Sequence, residues 1–202
     1  MSQKIISLEH DKFYHIYNRG INGENLFYEK ANYIYFLKQY EKYINPIAET
    51  YAWCLMPNHF HFLVRIKEEN KIIKDLTGFQ NLSGLKPLHQ YFSNLFNSYT
   101  KSINKKLNRH GGLFERPFRR IWIDDETYFK NLLIYIHNNP VHHAFTEQIA
   151  DYPWTSYHSI LSSKPTNLRR NDVIEWFDDL DNFVYSHKLK NNNQNLDRFI
   201  ID

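Results

Sequence analysis

The sequence contains one cysteine among its 202 residues, which excludes a disulfide framework and any zinc finger built on cysteine ligands. It has no apolar run long and uncharged enough to span a bilayer, so we expect no membrane partner. Its first twelve residues carry charges where a secretory signal needs an apolar stretch. Only 6 glycines and 7 prolines interrupt the chain. These absences predict a soluble, cytoplasmic protein.

Aromatic side chains are abundant, with 15 tyrosines, 15 phenylalanines and 4 tryptophans, and this abundance argues against wholesale disorder. The length suits one domain with an appendage. We place the main domain at residues 1–160 and a C-terminal helical extension at 161–202. The polar end of that extension, around 188–195, is expected to be disordered.

Apolar periodicity predicts an α+β fold. Strands are expected at 12–18, 49–56, 59–66 and 118–123, and helices at 27–44, 88–109, 126–138 and 171–181. Pro57 and Asn58 predict the turn of an antiparallel hairpin, Pro140 is expected to end the helix before it, and 67–86 is interpreted as a loop. The order predicts a ferredoxin-like sandwich. Its antiparallel sheet would have four or five strands with helices, and a helical tail would follow.

Two histidines alternate on one predicted strand, so His59 and His61 point to the same face of the sheet. Two imidazoles at that spacing can share a divalent ion, although two exposed histidines would show the same pattern. A third ligand must come from elsewhere. The candidates near the end of the helix at 126–138 are His137, Asn138, Asn139, His142 and His143.

A tyrosine on that helix lies one turn before an asparagine. Tyr135 and Asn139 are four residues apart and therefore neighbours on the helix surface. An amide oxygen can ligate a hard cation, which would place the phenol beside a metal-bound electrophile. Tyr99, with Asn104 five residues later, is a rival nucleophile with poorer spacing.

Four segments in order resemble the REP-associated tyrosine transposases of the single-tyrosine HUH (His-hydrophobic-His) superfamily. They are YHIYNRG at 14–20, MPNHFHFLV at 56–64, LFERPFRRIWIDDETYFKNLLIYIHNNPV at 113–141 and DYPWTSY at 151–157. The resemblance implies that His59, His61 and Asn139 bind Mg²⁺ or Mn²⁺ and that Tyr135 is the nucleophile. It also implies cleavage and rejoining of single-stranded DNA near hairpins through a 5′-phosphotyrosine link, by a monomer or homodimer.

Basic residues cluster ahead of the tyrosine helix, in a stretch whose one acid is Glu115. They would neutralise phosphates of single-stranded or hairpin DNA, and Arg19 is a further candidate contact. The cluster comprises Lys101, Lys105, Lys106, Arg109, Arg116, Arg119 and Arg120. Phe114, Phe118 and Trp122 lie among them, either as base-stacking groups or as core.

Two other functions remain compatible with the same residues. A metal-dependent hydrolase would use the histidine pair to activate water and would not need Tyr135. A catalytically idle protein would bind DNA hairpins without cutting them.

Overall fold

The computed structural model describes residues 6–77 and 86–189. In this part of the chain four strands and seven α-helices form an α+β structure. The strands are β1 (Phe13–Arg19), β2 (Ala48–Leu55), β3 (His59–Ile66) and β4 (Arg119–Ile123). The helices are α1 (Lys30–Ile44), α2 (Glu69–Thr77), α3 (Leu88–Leu107), α4 (Glu126–His142), α5 (Tyr157–Leu161), α6 (Arg170–Trp176) and α7 (Leu180–Lys188).

The strands form one antiparallel sheet in the order β2-β3-β1-β4, which confirms the predicted fold class. The hairpin between β2 and β3 turns at Pro57 and Asn58, as expected. β1 lies beside β3 with Tyr17 opposite His61 and Arg19 opposite His59. β4 is the edge strand next to β1. The first strand therefore lies between the histidine-bearing strand and the basic strand.

The two faces of the sheet carry separate cores because side chains alternate along each strand. On one face Phe60, Phe62 and Val64 pack with Ile16 against α1 and α3. On the other face Leu63 and Ile123 pack against α4 and the C-terminal helices. The second face also carries the odd-numbered residues of β1 and β3, among them the two motif histidines.

The predicted loop at 67–86 is wrong in its first half, where α2 forms. Ile72 is buried and Leu76, four residues later, packs on the same core, so two apolar side chains at helical spacing anchor the helix. The remainder of that prediction, 78–85, lies outside the described residues.

Pro140 does not end the helix before it, contrary to the prediction, because α4 continues to His142. The missing N–H of proline removes one helical bond in the final turn. The turn is nevertheless held, since the amide of His143 donates to the Asn139 carbonyl and that of Phe145 donates to the Pro140 carbonyl. Asn139 consequently sits inside the helix rather than at its end.

The acidic stretch at 171–181 is split between α6 and α7 rather than forming one helix. Asp178 adopts a φ of 69° between them, and the Asp179 side chain caps α7 by accepting from the Asn182 amide at 2.7 Å. Val173, Phe177 and Phe183 enter the second core beneath α4. The boundary at residue 160 stays a prediction, and the expected disordered tail lies outside the described residues from 190 onward.

Within the residues described, none of the helices combines the length and the hydrophobicity needed to cross a bilayer.

Candidate functional site

The motif histidines lie where β3 begins, beneath α4. His61 is only 5% exposed, and its ring is 5.2 Å from that of His59, measured between centroids. The Nδ1 atom of His59 is 2.7 Å from the Asn58 side-chain oxygen, and its Nε2 atom is 3.2 Å from Asn139 Oδ1. The structure therefore brings together the three side chains proposed to bind metal.

His15 on β1 supports the buried histidine from the neighbouring strand. His15 Nε2 is 2.9 Å from His61 Nδ1, and both side chains are buried. Burial lowers the pKa of His15 to about 3 and the pKa of His61 well below 6.5. Both imidazoles are therefore neutral near neutral pH. When His61 donates its Nδ1 proton to His15, the lone pair of His61 is at Nε2, as a ligand requires.

Asn139 is fully buried on α4, one turn after Tyr135. When His59 donates its Nδ1 proton to Asn58, its Nε2 lone pair faces the lone pairs of Asn139 Oδ1. Two acceptors at 3.2 Å repel unless a proton or cation lies between them. The donor set of two imidazoles and one amide oxygen is thus compatible with a divalent cation. Across the described residues no group of three His, Cys, Asp or Glu side chains forms such a site.

Tyr135 shares this location because α4 lies across β2 and β3 with Leu132, Leu133 and Ile136 in the core. The Tyr135 ring is 5.8 Å from the His61 ring and 6.1 Å from the His142 ring. Its side chain lines an open cavity of about 620 Å³ together with both motif histidines. A nucleophile and a candidate cation site therefore face the same space.

Tyr17 is a member of the site that sequence reasoning missed. Its hydroxyl is buried at the cavity without a hydrogen-bond partner in the described part of the chain. Burial raises the pKa of Tyr17 to about 12, with Arg119 opposing and Tyr135 reinforcing that rise. The phenol stays protonated and can donate a hydrogen bond to a ligand. Alternation along β1 fixes which face of the strand Tyr17 occupies. Only the register of β1 against β3 shows that Tyr17 lies opposite His61.

The other candidate metal ligands near the end of α4 lie in different environments. His137 is buried away from the cavity, 2.6 Å from the Ser156 hydroxyl and 3.0 Å from His187 Nε2. The ring of His143 is 4.9 Å from that of His59, and His143 lines the cavity. His142 lies beside Tyr135, and desolvation lowers its pKa with a further contribution from His143. Among these candidates from α4, Asn139 brings a side-chain oxygen to the Nε2 atom of His59.

The rival tyrosine lies across the sheet from this cavity. Tyr99 is buried in the first core, and its hydroxyl donates to the Leu26 carbonyl at 2.7 Å. The Asn104 side chain donates to Gly111 and accepts from Arg109. Neither residue of the rival pair is near the histidines.

The predicted basic cluster is divided between different surfaces. Arg19 and Arg119 line the cavity, and Arg19 Nε donates to Glu115 at 2.7 Å. Arg120 points to the opposite face of the sheet, because consecutive residues of β4 alternate. The α3 residues lie across the sheet from Tyr135: Lys101 and Lys105 are exposed, and Lys106 pairs with Glu29. Arg109, just after α3, pairs with Glu24. Arg116 lies in the loop before β4 and donates to Asn97. Their contacts with DNA stay a prediction.

The three aromatic residues among these cations also differ. Phe114 and Phe118 are buried in the first core, so the core interpretation is correct for both. Trp122 is 47% exposed on β4, with Lys12 Nζ 4.6 Å above its ring. Of the three, only Trp122 offers a face on which a base can stack.

Comparison with known proteins supports the resemblance drawn from the motifs. No protein-family profile matches the chain. A Haemophilus influenzae protein named as a candidate REP-associated tyrosine transposase is 30% identical over 114 residues, which cover 54% of this chain and 59% of that protein. The match therefore spans less than two thirds of the relative's length.

Comparison with solved structures shows a similar fold in one such transposase. A REP-associated tyrosine transposase bound to a REP hairpin superposes with a TM-score of 0.61 at 16% identity, covering 82% of this chain and 89% of that chain. A bacterial tRNA(His) guanylyltransferase-like protein in complex with ATP reaches only 0.41 at 10% identity, over 84% and 72% of the two chains, which is too low to support an argument. The chain is thus similar to REP-associated tyrosine transposases, to one of them in sequence and to another in fold.

Proposed function

We propose that this protein is a transposase-type endonuclease that cleaves and rejoins single-stranded DNA near hairpins through a 5′-phosphotyrosine intermediate. The observation that carries the proposal is that Tyr135 lines the same cavity as His59 and His61, with Asn139 beside them. The similarity to a REP-associated tyrosine transposase supports it. The named structural neighbour is bound to a REP hairpin, and we extend that substrate class to this chain.

The proposed reaction is a transesterification. The Tyr135 oxygen attacks the phosphorus of the scissile phosphodiester, a P–O(Tyr) bond forms, and the bond from phosphorus to the 3′-oxygen breaks. The phenol proton passes to a base and the departing 3′-oxygen takes up a proton to become a hydroxyl. Attack by a 3′-hydroxyl on the phosphotyrosine reverses the sequence, so strands rejoin without an external energy source.

His59, His61 and Asn139 would hold Mg²⁺ or Mn²⁺ in this mechanism. When bound, the cation supplies Lewis-acid polarisation of the scissile phosphate. His15 keeps the Nε2 lone pair of His61 available, and Asn58 does the same for His59. Three protein ligands would fill only part of the coordination sphere of such a cation, so positions would remain for phosphate oxygens and water.

The side chains around Tyr135 have separate roles. His142 lies beside the Tyr135 ring, and its lowered pKa keeps the imidazole neutral, so we assign it as the base that takes the phenol proton. Tyr17 donates a hydrogen bond to the phosphate, since its hydroxyl is protonated and faces the cavity. Arg119 contributes positive charge on the same side. Nucleophile and ligands come from one chain, so a monomer contains a complete site and a homodimer is not required for chemistry.

The test uses a labelled single-stranded hairpin incubated with Mn²⁺ and separated by denaturing electrophoresis. The wild type is expected to give a covalent protein–DNA band, and Tyr135→Phe is expected to give none while still binding the hairpin. Tyr99→Phe is the matched control and should form the adduct, because its hydroxyl lies in the opposite core. A free 5′-phosphate product without an adduct would identify a hydrolase instead. Binding without cleavage would identify an idle hairpin-binding protein.

A further inference from the structure

A second cavity of about 580 Å³ lies on the opposite side of the sheet from Tyr135, and Arg120 lines it. Arg119 and Arg120 are consecutive on β4, so one faces each side of the sheet: Arg119 is opposite Tyr17 and Arg120 is opposite Ile16. Because β4 is an edge strand, both cavities border the same open edge. Nothing in the proposed cleavage chemistry uses the second cavity.

Arg120 forms no ion pair with an acidic side chain in residues 6–77 and 86–189. Its Nε and Nη1 atoms are buried and have no hydrogen-bond partner among the residues that the structure describes. Burial lowers the pKa of Arg120, with only Tyr14 opposing that shift. The guanidinium lies 4.8 Å from the Phe118 ring, which fixes its orientation. Two of the guanidinium nitrogens are thus shielded from water without gaining a protein acceptor, so this partly buried cation is suited to a ligand that supplies an anion.

The cavity lining contains little negative charge. Glu69 is the one acid in the lining of the cavity, and the buried Nε and Nη1 atoms of Arg120 have no bond to it. The connection at 78–85 and the N-terminal stretch at 1–5 contain no Asp or Glu at all.

The cavity lining combines apolar residues with further groups that can donate hydrogen bonds to an anion. Lys86, His10 and His89 border the cavity, together with the first residues of the 20-residue helix α3. The N-cap of α3 is Pro87, which provides no side-chain cap for the first amides of the helix. The partial positive charge at the start of a long helix adds to that of Arg120.

We propose that this cavity binds a phosphate group, and that the phosphate is a backbone phosphodiester of a nucleic acid strand lying along the β4 edge. Trp122 lies two residues from Arg120 on the same strand face, and it is 47% exposed. An exposed indole beside a phosphate site is the combination that holds single strands, since one stacks a base and the other binds the backbone. The nucleic-acid assignment rests on the proposed function, whereas the phosphate site does not.

The first arm of the test measures inorganic phosphate binding by calorimetry and by the shift in Tm. The wild type should bind phosphate and gain Tm, and Arg120→Gln should lose both effects. Lys38→Gln is the matched control, because it removes one positive charge from an exposed position on α1 outside the cavity. Circular dichroism checks that each variant is folded. Phosphate binding unchanged in Arg120→Gln would overturn the site.

The second arm measures the affinity for a hairpin with single-stranded flanks as a function of salt, using variants that also carry Tyr135→Phe. Loss of one phosphate contact should reduce the slope of log K against log salt by about 0.7 to 0.9 in Arg120→Gln and leave it unchanged in Lys38→Gln. Trp122→Ala, whose side chain is exposed, should weaken hairpin binding about 5- to 100-fold while leaving phosphate binding intact.

The two arms separate the possible failures. Loss of phosphate binding with an unchanged hairpin salt slope would assign the cavity to a free phosphate and overturn the nucleic-acid assignment. If the wild type binds no hairpin, the proposed function fails, and the first arm still decides whether the phosphate site exists.

Discussion

His15 provides the sharpest test of how the buried ligand is held, because a single hydrogen bond joins it to His61. Replacement by phenylalanine keeps a planar ring in a fully buried position but removes the Nε2 atom that lies 2.9 Å from His61 Nδ1. The Nδ1–H group of His61 is then buried without an acceptor, which costs about 1–3 kcal/mol. Without this hydrogen bond, the His61 tautomer with its lone pair at Nε2 is no longer favoured. Loss of such a supporting partner typically lowers metal affinity about 10- to 100-fold.

Titration of Mn²⁺ into the purified protein, followed by calorimetry, measures this effect directly. His15→Phe should bind Mn²⁺ about 10- to 100-fold more weakly than the wild type. His15→Gln keeps an oxygen acceptor and should recover part of the loss. Thermal unfolding without metal separates a binding defect from a folding defect. Wild-type Mn²⁺ affinity in His15→Phe, or equal loss in both variants of a folded protein, would refute the orienting role.

Two further predictions concern stability. Gly20→Ala should destabilise the loop after β1, because an added Cβ would lie 1.9 Å from the Glu24 carbonyl oxygen; chemical denaturation should show a loss of more than about 1 kcal/mol, and wild-type stability would contradict the fit. Acid should also destabilise the fold early. Burial holds the pKa of the four buried histidines below the ordinary 6.5, so the unfolded chain binds protons that the native state does not. Each should then cost up to about 1.4 kcal/mol per pH unit as the pH falls from about 6.5 towards its native pKa, and urea titrations across pH 4 to 7 check this slope. An unfolding free energy that does not change with pH in this range would contradict the prediction. The four buried histidines are His15, His61, His137 and His187.

Local periodicity was sufficient to predict the central geometry of the site. A period of two placed His59 and His61 on one sheet face, and the four-residue spacing placed Tyr135 next to Asn139 on α4. These relations lie within single elements, so they do not depend on how elements pack. The contact between β3 and α4 depends on tertiary packing, and only the resemblance implied it. The structure shows this contact, with His59 Nε2 3.2 Å from Asn139 Oδ1.

The supporting residues could not be found in this way because they depend on long-range pairing. The register of β1 against β3 places Tyr17 opposite His61, and no local pattern contains it. The basic cluster shows the converse, since its members are neighbours in sequence but lie on different surfaces. Alternation along β4 sends Arg119 and Arg120 to opposite faces, and α3 lies across the sheet from Tyr135.

The most direct measurement of the central claim is to locate the DNA attachment by mass spectrometry. The wild-type protein is incubated with hairpin DNA and Mn²⁺, treated with nuclease and digested with trypsin. The expected peptide spans residues 131–169, because Pro165 blocks cleavage after Lys164, and it contains Tyr135, Tyr152 and Tyr157. Fragmentation of this peptide should show a nucleotide attached to the Tyr135 oxygen through its 5′-phosphate. Attachment to another residue, or cleaved DNA with no attached peptide, would contradict the account.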